Sequence, residues 1–126
     1  MLRGYSKKGL EKRKSERACL PEFFKKHIEI AKTRHCENCG EKLLGDVSEV
    51  AHILDKSRFK SIMCDDTNVA YLCSWKSSKN CHGLFDGSVE QLQSMKIFAE
   101  KSLEVKRLLE TVTEKYNYKT TDKWLI

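Results

Sequence analysis

The fold of this chain is decided by residues 36–86, which read CENCGEKLLGDVSEVAHILDKSRFKSIMCDDTNVAYLCSWKSSKNCHGLFD. Cys36 and Cys39, separated by two residues, open this stretch, and a second pair, Cys73 and Cys81, lies near its end. A CxxC pair on a tight turn places two sulfurs on one side of a soft cation, and a second pair completes a tetrahedron around Zn²⁺ at about 2.3 Å. The spacing predicts a structural zinc site that clips the two ends of the stretch together.

The two remaining cysteines are Cys19 and Cys64, and we expect them to be spare. The sequence has no signal peptide at its start and no apolar run long enough to cross a bilayer, so we expect a cytoplasmic protein without a membrane partner. In a reducing compartment a CxxC pair favours metal binding over a disulfide. Cys64 is the alternative to Cys73 as a zinc ligand.

Length and charge limit the possible functions. A chain of 126 residues makes one domain with a modest core, which a structural metal would help to stabilise. The net charge is +6, and residues 1–17 alone carry seven basic and two acidic residues, or +5. Such an arm suits phosphate binding, although a solvated terminus has the same composition. The arm supports a nucleic-acid partner and includes the candidate contacts Lys7, Lys8, Arg13 and Lys14.

The positions of proline and glycine and the spacing of apolar residues predict the helices and strands. We expect a helix over residues 20–34 with Pro21 in its first turn, antiparallel strands over 47–54 and 69–73, and a helical turn over 81–86. The long loop over 55–68 is of the kind that carries function. The predicted organisation is a basic arm (1–19), a core (20–87) and a C-terminal helical extension (88–126).

The extension is predicted to be one helix from Ser88 to Tyr116, opened by a capping box between Ser88 and Gln91. Apolar residues fall near one face of it: Leu92, Met95, Ala99, Leu103, Leu108, Leu109, Val112 and Tyr116. Such a helix would reach about 40 Å, more than this domain needs for its own burial, which favours a homodimer through this helix. The alternative is a kinked or broken helix that covers the sheet.

Between the cysteine pairs stand His52 at the end of the first predicted strand and Asn68 just before the second, and His82 follows Cys81 directly. With the zinc pairs, these residues make the segment over 36–86, about fifty of 126 residues, resemble the HNH endonucleases of the ββα-metal family, in their zinc-ribbon subtype. The resemblance implies an α+β fold: a small ββα-metal core with a four-cysteine zinc site, flanked by an N-terminal helix and a long C-terminal helix.

The resemblance also implies roles. His52 would be the general base, Asn68 would hold the loop, His82 would be the third signature residue, and Asp86 would stand at the position of a further metal ligand. His82 and Asp86 are four residues apart, so on a helix they lie about 5 to 6 Å apart on one face and can share a Mg²⁺, Mn²⁺ or other divalent ion. The implied activity is hydrolysis of DNA phosphodiester bonds, in a phage, mobile-element or bacterial-defence setting.

The chain departs from the family pattern at three places. Ala51 stands where many members have a metal ligand before the general base, so the ion would be held weakly unless Glu49 or another carboxylate reaches in. Asp86 replaces a common imidazole, which shifts preference toward harder ions. The second cysteine pair is spaced by seven residues, and the loop over 74–80 carries Trp75, Lys76 and Lys79. These suit base stacking and phosphate contact, as does Lys56, although Trp75 could equally fold back on the core.

Ala51 keeps a second function class open, a catalytically inactive zinc-ribbon module that binds DNA. An RNA substrate is not excluded, because a histidine base and one metal ion do not distinguish ribose from deoxyribose. Charge and size favour structure-based recognition, of nicks, flaps or junctions, over a defined sequence. His27 and His35 are expected to be surface or zinc-knuckle histidines without a catalytic role.

Overall fold

The computed structural model of the chain describes residues 15–116 and 122–124. These residues form an α+β fold with a two-stranded antiparallel sheet. In chain order its elements are α1 (Leu20–Ala31), β1 (Val50–His52), β2 (Val69–Tyr71), α2 (Cys81–Phe85), α3 (Val89–Gln93) and α4 (Phe98–Leu109), with short 3₁₀ helices at Val47–Glu49, Lys60–Ile62 and Asp122–Trp124. Among the described residues, no helix has the length and apolar character needed to span a bilayer.

Both strands are shorter than predicted. β1 pairs with β2 so that Val50 faces Tyr71, Ala51 faces Ala70 and His52 faces Val69. The predicted first strand fails over 47–49 because a capping box forms there: the Asp46 carboxylate accepts the N–H of Ser48, and the Glu49 carboxylate accepts the N–H of Asp46. Local side-chain bonding to the backbone thus outweighs the β propensity of the segment.

The predicted start of α1, with Pro21 in its first turn, is confirmed, but the helix ends at Ala31, three residues earlier than predicted. Its buried face includes His27, whose prediction as a surface histidine was wrong: Nδ1 lies 2.6 Å from the Tyr71 hydroxyl and Nε2 lies 3.0 Å from Asp66 Oδ1. This chain of three polar groups joins α1 to β2. His35 is exposed and pairs with Lys42 in the short hairpin of the first cysteine pair, as expected for a knuckle histidine.

The prediction of one helix over 88–116 was wrong, although its capping box at Ser88 and Gln91 is confirmed. The chain turns at residues 94–97, where Met95 and Ile97 enter the core and the N–H of Lys96 donates to Asn38 Oδ1 at 2.7 Å.

The turn also changes which face of α4 is buried. Val105 and Leu108 pack in the core, whereas Leu103 is 64% exposed. The broken helix therefore covers its own domain, as in the alternative prediction. The homodimer stays a prediction, but the length of one long helix no longer supports it.

Residues near both ends of the described chain contact the core. Trp124 is buried against Phe85 and Phe98, with ring centroids 5.5 and 5.8 Å away. At the other end of the described chain, Cys19 is joined to Cys64 by a disulfide, with their Cα atoms 6.3 Å apart. The expectation that these cysteines are spare was wrong, because the residues before α1 lie alongside the loop over 55–68.

Candidate metal centre and cleft

The four predicted zinc ligands come together in one cluster. The Sγ atoms of Cys36, Cys39, Cys73 and Cys81 all lie within 4.8 Å of one another, and those of Cys39 and Cys73 are 3.7 Å apart. A tetrahedron with Zn–S bonds of about 2.3 Å has S···S edges of about 3.8 Å, so the cluster fits this ion. Cys73 belongs to it, whereas the alternative, Cys64, is held in the disulfide. These four thiols can therefore hold a metal ion such as zinc.

Hydrogen bonds to sulfur surround the cluster. The N–H of Cys81 donates to Cys73 Sγ at 3.3 Å, and the Asn38 amide donates to Cys81 Sγ at 3.4 Å. Burial raises the pKa of the Cys39 and Cys81 thiols. For Cys36 burial acts in the same direction, but hydrogen bonds from neighbouring backbone groups outweigh it and lower the pKa. Hydrogen bonds that donate to sulfur stabilise the thiolate, which is the form in which cysteine binds a metal ion.

The turn of the first cysteine pair depends on a glycine. The N–H of Cys36 donates to Glu41 O at 2.7 Å and that of Gly40 to Cys36 O at 2.9 Å, which closes a tight hairpin. Gly40 has φ +81°, a left-handed conformation that side-chain-bearing residues rarely adopt. The residue after the CxxC pair thus lets the chain reverse without strain.

A cleft of about 340 Å³ lies between β1 and α2. His52, at the end of β1, and His82 and Asp86, at the start of α2 and just after it, all line this cleft. Lys56 lines it as well, with Nζ 5.3 Å from the ring centroid of Phe24. The structure therefore brings together four residues that the sequence analysis singled out from separate elements.

The surroundings of His52 define which of its nitrogens can accept a proton. Nε2 lies 2.7 Å from the carbonyl oxygen of Met63, which can only accept, so Nε2 carries the hydrogen and the neutral ring has its lone pair on Nδ1. Phe23 stacks on the ring with centroids 5.1 Å apart, and Phe24 meets it edge-on at 5.7 Å. Burial lowers the pKa of His52 below its usual value, against the opposing effect of the Met63 carbonyl. The imidazole is thus held as a neutral base.

Asn68 lies fully buried beneath the cleft and does not line it. Its Oδ1 accepts the N–H of Leu54 at 2.8 Å, and its Nδ2 donates to Leu54 O at 3.0 Å and to Ile62 O at 3.3 Å. These bonds join the chain just after His52 to the chain just before Met63. The amide therefore fixes the two segments whose separation sets the His52 to Met63 hydrogen bond.

His82 and Asp86 form a pair at the mouth of the cleft. His82 Nδ1 donates to Ser48 O at 2.6 Å, and His82 Nε2 lies 3.1 Å from Asp86 Oδ2. The Asp86 carboxylate raises the pKa of His82, although burial opposes it. Ser48 O holds one proton on Nδ1, so loss of the proton shared with Asp86 leaves the Nε2 lone pair beside the Asp86 carboxylate, which is 63% exposed, and the two groups can then hold an ion.

Glu49 and Ala51, the two positions before His52 that were considered as metal ligands, do not line the cleft. The Glu49 carboxylate is buried and accepts the N–H groups of Leu44, Gly45 and Asp46 at 2.7 to 2.9 Å, so the expectation that it could reach the ion was wrong. Ala51 is 1% exposed and faces Ala70, whereas its neighbours Val50 and His52 line the cleft. Of the carboxylates beyond Asp86, it is Asp55 that lines the cleft.

The loop over 74–80 projects from the surface between Cys73 and Cys81. Trp75 is 73% exposed, so the alternative in which it folds back on the core was wrong. Lys76 and Lys79 are also exposed. The remaining candidate contacts, Lys7, Lys8, Arg13 and Lys14, lie outside the described residues.

Sequence reasoning missed the residues that orient His52. Phe23 and Phe24 come from α1 and looked like ordinary core positions of an amphipathic helix, and Met63 acts through its backbone carbonyl. A carbonyl carries no side-chain signal, so no residue pattern could have identified it. Comparisons of the chain with protein-family models, with curated proteins and with solved structures gave no match.

Proposed function

We propose that this protein is a divalent-metal-dependent endonuclease of the HNH, or ββα-metal, type that hydrolyses phosphodiester bonds in DNA. The observation that carries the proposal is the meeting of His52, His82 and Asp86 in one cleft. A neutral imidazole on one wall and an imidazole and carboxylate pair on the other are the groups needed to activate water and to hold an ion at a phosphate.

In this proposal His52 takes the proton from the attacking water. Its hydrogen bond to Met63 O leaves Nδ1 as the proton acceptor, and its lowered pKa keeps the ring neutral near pH 7. Phe23 and Phe24 restrict rotation of the ring. Asn68 acts as a positioning residue, because it holds both segments that define the geometry of His52.

His82 Nε2 and the Asp86 carboxylate would hold the catalytic ion. A divalent ion bound there would polarise the scissile phosphate and stabilise negative charge on the departing 3′ oxygen. Oxygen and imidazole donors suit Mg²⁺ or Mn²⁺. Ala51 is buried and Glu49 is engaged by the backbone, so His82 and Asp86 are the two ligands we assign, and Asp55 is the further carboxylate on the cleft wall. With so few protein ligands, we expect weak binding of the ion that improves when DNA oxygens complete its shell.

The charges near the cleft support an anionic polymer as the substrate. Lys56 lines the cleft, and Lys76 and Lys79 lie on the neighbouring loop. The whole chain carries +6, with +5 in residues 1–17, so binding should weaken as salt is raised. The four-cysteine cluster would hold a structural Zn²⁺ and fix Cys81, after which His82 begins the cleft wall.

The test is cleavage of supercoiled plasmid and of single-stranded DNA by protein purified with its zinc, with Mg²⁺, Mn²⁺ or Ni²⁺ added in turn or omitted. We expect nicking that requires an added ion and that is lost in His52→Ala. His35→Ala is the matched control, since His35 is an exposed histidine outside the cleft and its variant should cut like the wild type.

Two results would contradict the proposal. Equal cleavage by the His52→Ala and wild-type proteins would remove His52 from the reaction. Binding of DNA without cleavage under any ion would instead favour the zinc-ribbon binding module, for which the absence of a ligand at Ala51 is the supporting observation. The same assay with an RNA of equal length would decide whether ribose is accepted.

A further inference from the structure

Trp75 is an exposed aromatic side chain beside the cleft. With 73% of its surface accessible, it is the most exposed large apolar residue in the described part of the chain. The other tryptophan, Trp124, is buried in the core. An indole left this open beside a polar site offers an aromatic face on which a ligand can stack.

The loop that carries Trp75 is held in place. Its two ends are Cys73 and Cys81 of the four-cysteine cluster. Lys76 Nζ lies 3.0 Å from Asp46 Oδ1 and 5.5 Å from the centroid of the Trp75 ring. Hydrogen bonding to Ser48 and the Lys76 charge lower the pKa of Asp46 to about 2, so this ion pair persists at neutral pH. The loop is therefore anchored at its ends and at Lys76 before any ligand arrives, which reduces the entropy cost of ordering it on binding.

Trp75 lines a hollow of about 280 Å³ that shares His82 and Asp86 with the proposed catalytic cleft. A phosphate bound to an ion at His82 and Asp86 would thus have its neighbouring nucleotide beside the indole. The hollow is smaller than the roughly 300 to 1,000 Å³ of pockets that enclose drug-sized ligands, so it suits one planar ring. Asn80 and Ser48 provide polar groups at its edge.

A base within a duplex has both faces covered by its neighbours, whereas an unpaired base offers a face for stacking on an aromatic ring. Lys79, on the same loop, has no ion-pair partner among the described residues and can contact the strand backbone. The features beside His82 and Asp86 are therefore those of a single-strand site: one open aromatic face, one hollow and one unpaired cation.

We propose that Trp75 and this hollow bind one unpaired nucleobase next to the scissile phosphate, so that the protein acts on single-stranded DNA and on unpaired positions in preference to fully paired DNA. This inference rests on the proposed nuclease function for the placement of the phosphate. Trp75 is thereby a specificity-determining residue and has no part in the proton transfer by His52.

The experiment measures binding without cleavage, in protein that also carries His52→Ala. Fluorescence anisotropy gives the affinity for a short labelled oligothymidylate and for a fully paired hairpin. We expect Trp75→Ala to weaken oligothymidylate binding by roughly 5- to 150-fold, the loss of one base stacked on a ring, and to change hairpin binding by less than about threefold. Trp75→Phe, which keeps an aromatic face, should retain most of the affinity.

The control variant is Leu103→Ala, which removes another exposed apolar side chain. Leu103 lines neither the hollow nor the cleft, so this variant should bind both DNAs as the wild type does. Tryptophan fluorescence gives a second readout of Trp75, because the other tryptophan, Trp124, is buried and shielded from bases. Oligothymidylate should quench this fluorescence, whereas the hairpin, whose bases are paired, should not. Equal losses for the two DNAs, or no loss in Trp75→Ala, would overturn the proposal.

The two proposals can fail separately. If the wild type cuts no DNA with any ion but oligothymidylate still binds through Trp75, the nuclease function falls and the base site stands. If the wild type cuts and Trp75→Ala binds both DNAs as before, the nuclease function stands and the base site falls.

Discussion

Replacement of Asn68 by alanine removes the three hydrogen bonds that join the two segments behind the cleft. The bonds measure 2.8, 3.0 and 3.3 Å, and the side chain is fully buried, so water cannot replace the lost partners. At about 1 kcal/mol for each bond, we expect Asn68→Ala to lower the free energy of unfolding by about 3 kcal/mol. That is a large share of the roughly 5 to 15 kcal/mol available to a domain.

Urea unfolding of the zinc-loaded protein measures this loss. Asn80→Gly is the matched control: it deletes an asparagine with a single side-chain bond of 3.2 Å to Gly83, and glycine accepts the φ of +42° found there, so it should cost only about a few tenths of a kcal/mol. A loss for Asn68→Ala no larger than that of the control would refute the reasoning.

The same variant also tests positioning in the proposed reaction. Because Asn68 bonds to Ile62 O, next to the carbonyl of Met63 that orients His52, its loss should lower kcat by up to about 100-fold in the fraction that is folded. Binding of DNA by that fraction should be unchanged. A variant that is destabilised but cuts at the wild-type rate would assign Asn68 a purely structural role.

Four further predictions follow from the described contacts. Because burial lowers the pKa of His52 below its usual value, the cleavage rate should rise as His52 loses its proton, with the midpoint of the rise below the ordinary histidine value of about 6.5, and a midpoint above that pH would contradict this. Lys101→Met should lower the free energy of unfolding, measured by urea titration, because it leaves the Glu37 carboxylate, 2.9 Å from Lys101 Nζ, without its cation. We expect a loss of about 3 kcal/mol, the low end for a buried ion pair, because Glu37 remains partly exposed. Reduction of the Cys19 to Cys64 disulfide, which spans 45 residues, should lower the free energy of unfolding by up to about 4 kcal/mol, and a Cys64→Ser protein should show no response to reductant. Metal analysis should find about one zinc per chain at the four-cysteine cluster, and chelation should unfold the domain as followed by circular dichroism.

The metal cluster could be predicted from the sequence because its signal is local. The separation of two residues between Cys36 and Cys39, followed by a glycine, describes a turn with both sulfurs on one side, and this turn forms. The separation of four residues between His82 and Asp86 likewise predicts that their side chains are close, and His82 Nε2 lies 3.1 Å from Asp86 Oδ2. In both cases the backbone geometry of a few consecutive residues determines the contact.

The errors occurred where distant segments compete for the same groups. His27 was predicted to be a surface or zinc-knuckle histidine, yet Tyr71 and Asp66 satisfy both of its nitrogens and allow its burial. The periodicity over 88–116 favoured one helix, yet Asn38 accepts the N–H of Lys96 and stabilises the turn that interrupts it. None of these three partners lies within thirty residues of the group it binds, so no window of local sequence contains the information.

Asn38 also shows why the cluster and the cleft depend on each other. Its amide donates to Cys81 Sγ and accepts from Lys96, so the first cysteine turn contacts both the start of α2 and the break before α4. His82 follows Cys81 directly and is fixed on its other side by Ser48 O. Loss of the metal would release Cys81 and with it the wall of the cleft that carries His82 and Asp86. Under the proposed function, substitution of a ligand in the four-cysteine cluster should therefore reduce cleavage even though no ligand is itself a cleft residue, because a metal bound there would fix Cys81 and with it the position of His82 and Asp86.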